Sequence, residues 1–314
     1  MQSAILNFPN QLKWQPIIEG GQISPVEHYL LCGMGGSALA GGLLTACDPT
    51  IPLTIHRDYG LPTVMAGSPL LIISSFSGQT EETLDAYQTA REAKLPLMVI
   101  TSGGELLARA QRDGVPQIIL PDPTIAPRLA VGYFLRALAL ITGAKQIGDE
   151  LESLASTLDL AKIEAEGRAI ASRLSGRIPL IYSSNRYAPV AYFWKIMMNE
   201  TAKIPAFFNI IPEQNHNELE SFDGASLAPF TIVTLTSADD HPRVTKRFRA
   251  LAETLPSLNV PVENFPLPEL SATACVINSI LLASFTALAL AEARGVDPAA
   301  VPAIEDFKHY VATV

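Results

Sequence analysis

Short apolar runs recur along the chain at His28–Cys32, Pro52–His56, Leu70–Ile73, Leu97–Ile100 and Gln117–Leu120, each followed by a turn-rich or helical stretch. Runs of this length, bounded by Gly, Pro and Ser, predict strands covered on both faces, and their alternation with helices predicts βαβ units in a parallel sheet. Helices are expected from the first glycine cluster through Leu44, over Glu81–Lys94 and over Arg128–Thr142. Gln11–Gly20, with Trp14, Ile17 and Ile18 on one side, reads as a short helix ahead of the sheet. A helical stretch over Glu150–Leu174 then leads into a second round. It comprises a strand at Ile178–Tyr182, the polar turn Ser183-Ser184-Asn185, a helix over Pro189–Lys203, strands at Ala206–Ile210, Thr231–Leu235 and Val260–Phe265, and a helix over Arg243–Leu255. The repeated rhythm predicts an α/β protein of two domains, residues 1–150 and 151–314, related as a divergent duplication.

One stretch departs from this rhythm: Leu270–Ala291 carries no charged residue and is long enough to span a bilayer. Ser271, Thr273, Asn278, Ser279, Ser284 and Thr286 interrupt it and no basic cluster flanks it, so it is expected to be a buried core helix. The chain has 314 residues, 48% of them hydrophobic. Its 31 acidic residues outweigh 22 basic ones for a net charge of −9, which argues against a nucleic-acid surface and requires any anionic ligand to be held locally. Cys32, Cys47 and Cys275 form no framework and suit a reducing compartment, and Met1–Pro16 lacks the apolar core of a signal peptide. A cytoplasmic protein without membrane or nucleic-acid partners is expected.

Two loops carry candidate chemistry. Leu70–Ile73 runs into Ser74-Ser75-Phe76-Ser77-Gly78-Gln79-Thr80, and a helix starting there would aim its unpaired N–H groups where Ser75, Ser77 and Thr80 present hydroxyls. That is a phosphate cradle, unless the hydroxyls merely cap the helix. Gly33-Met34-Gly35-Gly36-Ser37 ends the first strand and lets backbone approach a ligand. The second half offers Thr236-Ser237-Ala238-Asp239-Asp240 instead, whose carboxylates would repel a phosphate, so one phosphate site per chain is expected. Gly33-x-Gly35-x-x-Ala38 with Asp58 after the second strand also fits the fingerprint of an NAD(P)-binding oxidoreductase. That alternative leaves the Ser75–Thr80 loop without a role.

Two polar segments narrow the choice: Asn199-Glu200-Thr201-Ala202-Lys203, and Pro212-Glu213-Gln214-Asn215-His216-Asn217-Glu218-Leu219-Glu220. With the glycine and hydroxyl loops they resemble the bifunctional phosphoglucose/phosphomannose isomerases, a branch of the sugar isomerase (SIS) superfamily, over nearly the whole chain; Met1–Ile23, Gln79 and Thr201 depart from the family pattern. The resemblance implies two SIS domains, each a parallel β-sheet flanked by α-helices, in a homodimer with active sites at the interface and no cofactor. It implies that Ser75, Ser77 and Thr80 hold the sugar phosphate, aided by the backbone at Gly35, Gly36 and Ser37. It further implies that Glu200 moves a proton between C1 and C2 and that His216, supplied by the neighbouring subunit, opens the ring. Arg128 is implied beside the enediolate and Lys308 in ring opening.

The chemistry is consistent on its own terms. Aldose–ketose isomerisation needs a carboxylate base, best with its pKa raised by burial as at the end of an apolar helix, a histidine to donate to the ring oxygen and a cation for developing charge. Glu200, His216 and Arg128 are of those types. Glu213, His216, Glu218 and Glu220 could instead ligate a metal, but one histidine without cysteine is a poor zinc set, so no metal is expected. The expected activity interconverts glucose 6-phosphate or mannose 6-phosphate with fructose 6-phosphate; the alternative from another class is a non-catalytic sugar-phosphate sensor.

Overall fold

β-Strands that are apolar at consecutive positions can be buried only if both faces of their sheet are covered, and this organises the chain into two α/β units. The computed structural model describes residues 1–24, 26–65, 67–222, 229–311 and 313. One unit comprises Leu6–Leu158 with Leu270–Ile277; the other comprises Met1–Ile5, Asp159–Glu269 and Asn278–Val314.

Two short helices, α1 (Gln2–Leu6) and α2 (Phe8–Lys13), precede the first sheet. This corrects the expected helix over Gln11–Gly20. Trp14 is already extended, and Pro16 disfavours a helical conformation at Gln15. Ile17 is 70% exposed, and Glu19 pairs antiparallel with Gln117 instead. The first sheet follows: β1 (Tyr29–Gly33), α3 (Gly35–Cys47), β2 (Leu53–His56), β3 (Leu70–Ser75), α4 (Glu81–Glu92), β4 (Leu97–Thr101), α5 (Gly104–Asp113) and β5 (Gln117–Ile119). All its pairings are parallel, in the order β2-β1-β3-β4-β5, and every residue of β1, β3 and β4 is buried. The order reverses between β1 and β3, so the crevice outside their carboxyl ends is the topological switch point where ligands bind in open α/β sheets. It is the flavodoxin-like order rather than the 3-2-1-4-5-6 order of dinucleotide-binding domains, which removes the architectural support for the oxidoreductase alternative.

The helix expected over Arg128–Thr142 starts as a 3-10 turn at Pro127–Leu129 and becomes α-helical only at α6 (Val131–Ile141). Glu150–Leu174 is likewise two helices, α7 (Lys145–Thr157) and α8 (Leu160–Leu174). Leu158 is extended and the Asp159 carboxylate accepts the Lys162 N–H at 3.0 Å, capping a new helix.

The second unit continues with β6 (Ile178–Ser184), α9 (Ala188–Glu200), β7 (Phe207–Ile211), two 3-10 turns at Glu213–His216 and Glu218–Phe222, β8 (Phe230–Leu235), α10 (Pro242–Thr254), β9 (Val262–Asn264), α11 (Ala272–Arg294) and α12 (Pro302–Val311). Its parallel sheet runs β7-β6-β8-β9, the same relative order as β2-β1-β3-β4, as a duplication requires. The apolar α11 is a largely buried helix. Ser284 and Thr286 donate to the carbonyls of Ile280 and Leu282 within the helix, and Ser279 accepts the indole N–H of Trp194 on α9.

Gly167 on α8 lies against α11: a Cβ there would meet the Phe285 Cβ at 2.8 Å and the Thr286 N at 3.0 Å. In a free helix, Gly→Ala is favourable by about 1 kcal/mol. Here the obstacles are main chain and a Cβ, which cannot swing aside, and overpacking costs about 1–3 kcal/mol. Gly167→Ala is therefore expected to lower the urea midpoint of unfolding; a raised midpoint would show that α8 and α11 can part freely.

Candidate active site

Main chain meets main chain at the carboxyl ends of β3 and β4. Gly78 has φ +67°, and a Cβ on it would lie 1.9 Å from the Gly103 carbonyl; a Cβ on Gly104 would lie 2.3 Å from the Ser77 carbonyl. Only glycines allow this interlock. The Gly78 carbonyl accepts the Leu106 N–H at 3.0 Å, and Phe76 O accepts both the Ser102 N–H and its hydroxyl.

Strand β3 runs through Ser74 and Ser75, so the hydroxyl loop is Phe76–Thr80. Ser75 Oγ lies 2.8 Å from Thr80 Oγ1 and accepts the Gly78 N–H at 3.1 Å. Ser37 Oγ, at the start of α3, accepts the Phe76 N–H at 3.1 Å and so ties the glycine loop to the hydroxyl loop. Ser37 and Ser75 are buried, Thr80 is half-buried and Ser77 is exposed. None of these hydroxyls caps α4 in the usual way: Thr80 occupies the cap position without a side-chain bond to the helix. The capping alternative is thus not realised. A hydroxyl that accepts a backbone N–H still has its own proton to donate. The first turn of α3 contains no acidic residue, whereas α4 opens on Glu81 and Glu82, so α3 directs the less neutralised dipole at the crevice.

Arg128 is 4% exposed. Its turn packs on the glycine loop so closely that a Cβ on Gly36 would meet the Pro127 carbonyl at 2.8 Å and Arg128 Cα at 3.4 Å. Gly36, Ser37, Ser75, Thr80 and the Arg128 backbone therefore gather at one switch point.

The other predicted residues belong to the second unit. Glu200 is the last residue of α9 and half-buried. The Lys203 ammonium, on a residue with φ +57°, donates to the carbonyls of Glu200 and Ala300, and Asn199 Nδ2 donates to Ile204 O at 2.9 Å. Asp297 is held below the usual carboxylate range by the N–H groups of Ala299 and Ala300, with the Lys203 charge adding to the effect. Lys203 thus braces the end of α9 against the segment leading to α12, a role for which the sequence offered no signal beyond membership of the motif. His216 is exposed in the 3-10 turn after β7, and Lys308 is exposed on α12. Glu200 and His216 sit at opposite ends of β7, whose five residues span about 13 Å at ~3.3 Å per residue.

Glu218 is committed elsewhere. It accepts the Tyr182 hydroxyl and, at 2.6 Å, the Asn209 amide; burial, with this hydrogen bond second, pushes the Tyr182 phenol far above its usual range. Among the described residues, no three His, Cys, Asp or Glu side chains cluster as metal ligands. At the second sheet's switch point, Asp240 accepts the Ser237 N–H and Asp239 faces the Tyr187 hydroxyl at 3.3 Å and Arg186 at 3.5 Å. Carboxylates of the chain itself fill the loop that corresponds to the cradle.

The family described as "Bacterial phospho-glucose isomerase C-terminal SIS domain" matches residues 163–311. The bifunctional phosphoglucose/phosphomannose isomerase of Aquifex aeolicus is 32% identical over 308 residues, covering 96% of this chain and 95% of the relative. The enzyme of the same name from Thermoplasma acidophilum is 32% identical over 319 residues, covering 99% and 100%. The C-terminal domain of glucosamine-fructose-6-phosphate aminotransferase from Francisella tularensis superposes with a TM-score of 0.67 at 16% identity, covering 96% of this chain and 97% of that one, a likeness of fold. With a double parallel sheet of SIS type and full-length relatives at this identity, the chain belongs to the bifunctional phosphoglucose/phosphomannose isomerase family.

Proposed function

We propose that this chain interconverts glucose 6-phosphate and mannose 6-phosphate with fructose 6-phosphate through a cis-enediolate, with no metal in the proton-transfer step. The observation that carries this reading is the cradle at the first switch point, where neutral hydroxyls and helix N–H groups gather beside a buried arginine in a chain whose net charge is −9. Ser75, Ser77 and Thr80 hold the phosphate with the backbone of Gly35, Gly36 and Ser37. Glu200 takes the proton from the carbon beside the carbonyl and returns it to the former carbonyl carbon, while the hydroxyl proton passes from one enediolate oxygen to the other; the overall reaction moves no net proton and needs no external oxidant. Arg128 stabilises the enediolate charge. His216 donates to the ring oxygen during opening, with Lys308 assisting. Both aldoses are accepted because the C2 proton can be delivered to either face of the same enediolate.

The two domains of the family correspond in this reading to residues 1–150 and 151–314, and the working form is a homodimer whose sites each take His216 from the partner. The separation of Glu200 and His216 along β7 supports this. So does α12, where Ile304, Phe307 and Tyr310 form an exposed apolar stripe at helical spacing, Phe307 being 67% exposed. Three buried free cysteines and an acidic surface fit residence in the cytoplasm.

A coupled assay on fructose 6-phosphate in chelator-treated enzyme is expected to yield both aldoses. Glu200→Gln is expected to lower kcat by about 10²–10⁴-fold or more while KM stays close to wild type; unchanged turnover would remove Glu200 as the base. Mixing inactive Glu200→Gln and His216→Ala subunits tests the homodimer. Random exchange makes about half the dimers mixed, each with one intact site of two, so roughly a quarter of wild-type activity is expected to return. A mixture that stays inactive after verified exchange would place Glu200 and His216 in cis.

A further inference from the structure

Gln11, on α2, is 2% exposed, a burial that an uncharged amide tolerates only when its polar atoms are paired. Both atoms are paired, and to one short stretch of main chain: Nε2 donates to the Leu129 carbonyl at 2.8 Å, and Oε1 accepts the Gly132 N–H at 3.0 Å. Leu129 directly follows Arg128, and Gly132 lies in the first turn of α6, where the leading N–H groups lack intrahelical partners. Glutamine supplies the donor and the acceptor that this junction needs; an apolar side chain would supply neither.

The fit is close. A Cβ on Gly132 would come within 2.7 Å of the Gln11 Cβ and 2.8 Å of its Oε1. The arm that presents Gln11 is itself fixed: Phe8 and Leu12 are buried, the Trp14 ring meets Tyr133 edge-on at 5.4 Å, and the Trp14 carbonyl accepts Arg136 Nε at 2.8 Å. On its other flank the Pro127–Leu129 turn rests on Gly36. The turn carrying Arg128 is therefore held between Gly36 of the glycine loop and Gln11 of the N-terminal arm.

We propose that Gln11 is a positioning residue for Arg128, fixing the turn so that the guanidinium meets the enediolate in the transition state. This rests on the reading of Arg128 given above. An interaction made only in the transition state is lost from kcat rather than from KM, and a misplacement of about 1 Å costs up to about a hundredfold.

The experiment is a double-mutant cycle on full-length enzyme, with kcat and KM for fructose 6-phosphate measured at a temperature where circular dichroism shows each variant folded. Gln11→Met, similar in length but without hydrogen bonds, is expected to lower kcat about ten- to a hundredfold with KM within about twofold. Gly132→Ala sets a Cβ against the Gln11 Cβ and Oε1, forcing α2 and the start of α6 apart while keeping the amide, and is expected to lower kcat in the same sense; it carries the test if Gln11→Met does not fold. In an Arg128→Met background both substitutions are expected to change kcat by less than about twofold, because the group they position is gone. Losses that multiply independently of Arg128→Met would overturn the positioning role while leaving Arg128 in place. A raised KM at unchanged kcat would overturn it too, making Gln11 part of the cradle's support. If Arg128→Met alone leaves kcat unchanged, the Arg128 reading itself fails and the inference falls with it.

Discussion

The approach of one loop's main chain to another's at the carboxyl ends of β1, β3 and β4 is the constraint from which the first unit's chemistry follows. Parallel strands buried on both faces have no surface on which to carry polar side chains, so their chemistry is displaced to the strand ends. There, Gly78 and Gly104 occupy space where a Cβ would strike a carbonyl at 1.9 and 2.3 Å, and Ser37 joins the glycine loop to Phe76. Ser75 Oγ is held by the Gly78 N–H and in turn meets Thr80 Oγ1, so both hydroxyls are set by the loop itself.

The second sheet repeats the strand order but not the cradle. Asp239 and Asp240 are bound by their own loop and neighbours where the first unit keeps neutral hydroxyls. What the second unit contributes is the end of α9. Lys203 fastens the Glu200 carbonyl to the segment before α12, and Asn199 fastens the helix end to the entry of β7. Both ties restrict the main chain that carries Glu200.

The residues from Leu6 to Gly20 brace the first unit. They form no part of either parallel sheet, yet Gln11 satisfies two main-chain groups at the start of α6, and Arg136, 6% exposed, donates to the Trp14 carbonyl and the Gln15 amide oxygen. Burial lowers the Arg136 pKa from its usual value while Glu152 opposes the shift. The arm is a brace on α6.

The sequence alone determined what depends on local periodicity and on residue type. Apolar runs separated by helical segments specify strands of a doubly covered parallel sheet, an interrupted apolar stretch with no charge specifies a buried α11, and the Asn199–Lys203 and Pro212–Glu220 segments specify the family. It did not determine where helices break, because Pro16, the 3-10 turn at Pro127 and the Asp159 cap act through single residues that a periodic pattern averages over. Nor could it assign Leu270–Ile277 to the first unit and Met1–Ile5 to the second, since such exchanges are decided by packing across long separations in sequence. Only the tertiary structure decided that Ser37 and Ser75 are braces while Ser77 stays exposed, that Glu218 belongs to Tyr182 and Asn209, and that Gln11 reaches Arg128's turn across more than a hundred residues. A hydrogen bond selects its partner by distance in space, which residue order does not contain.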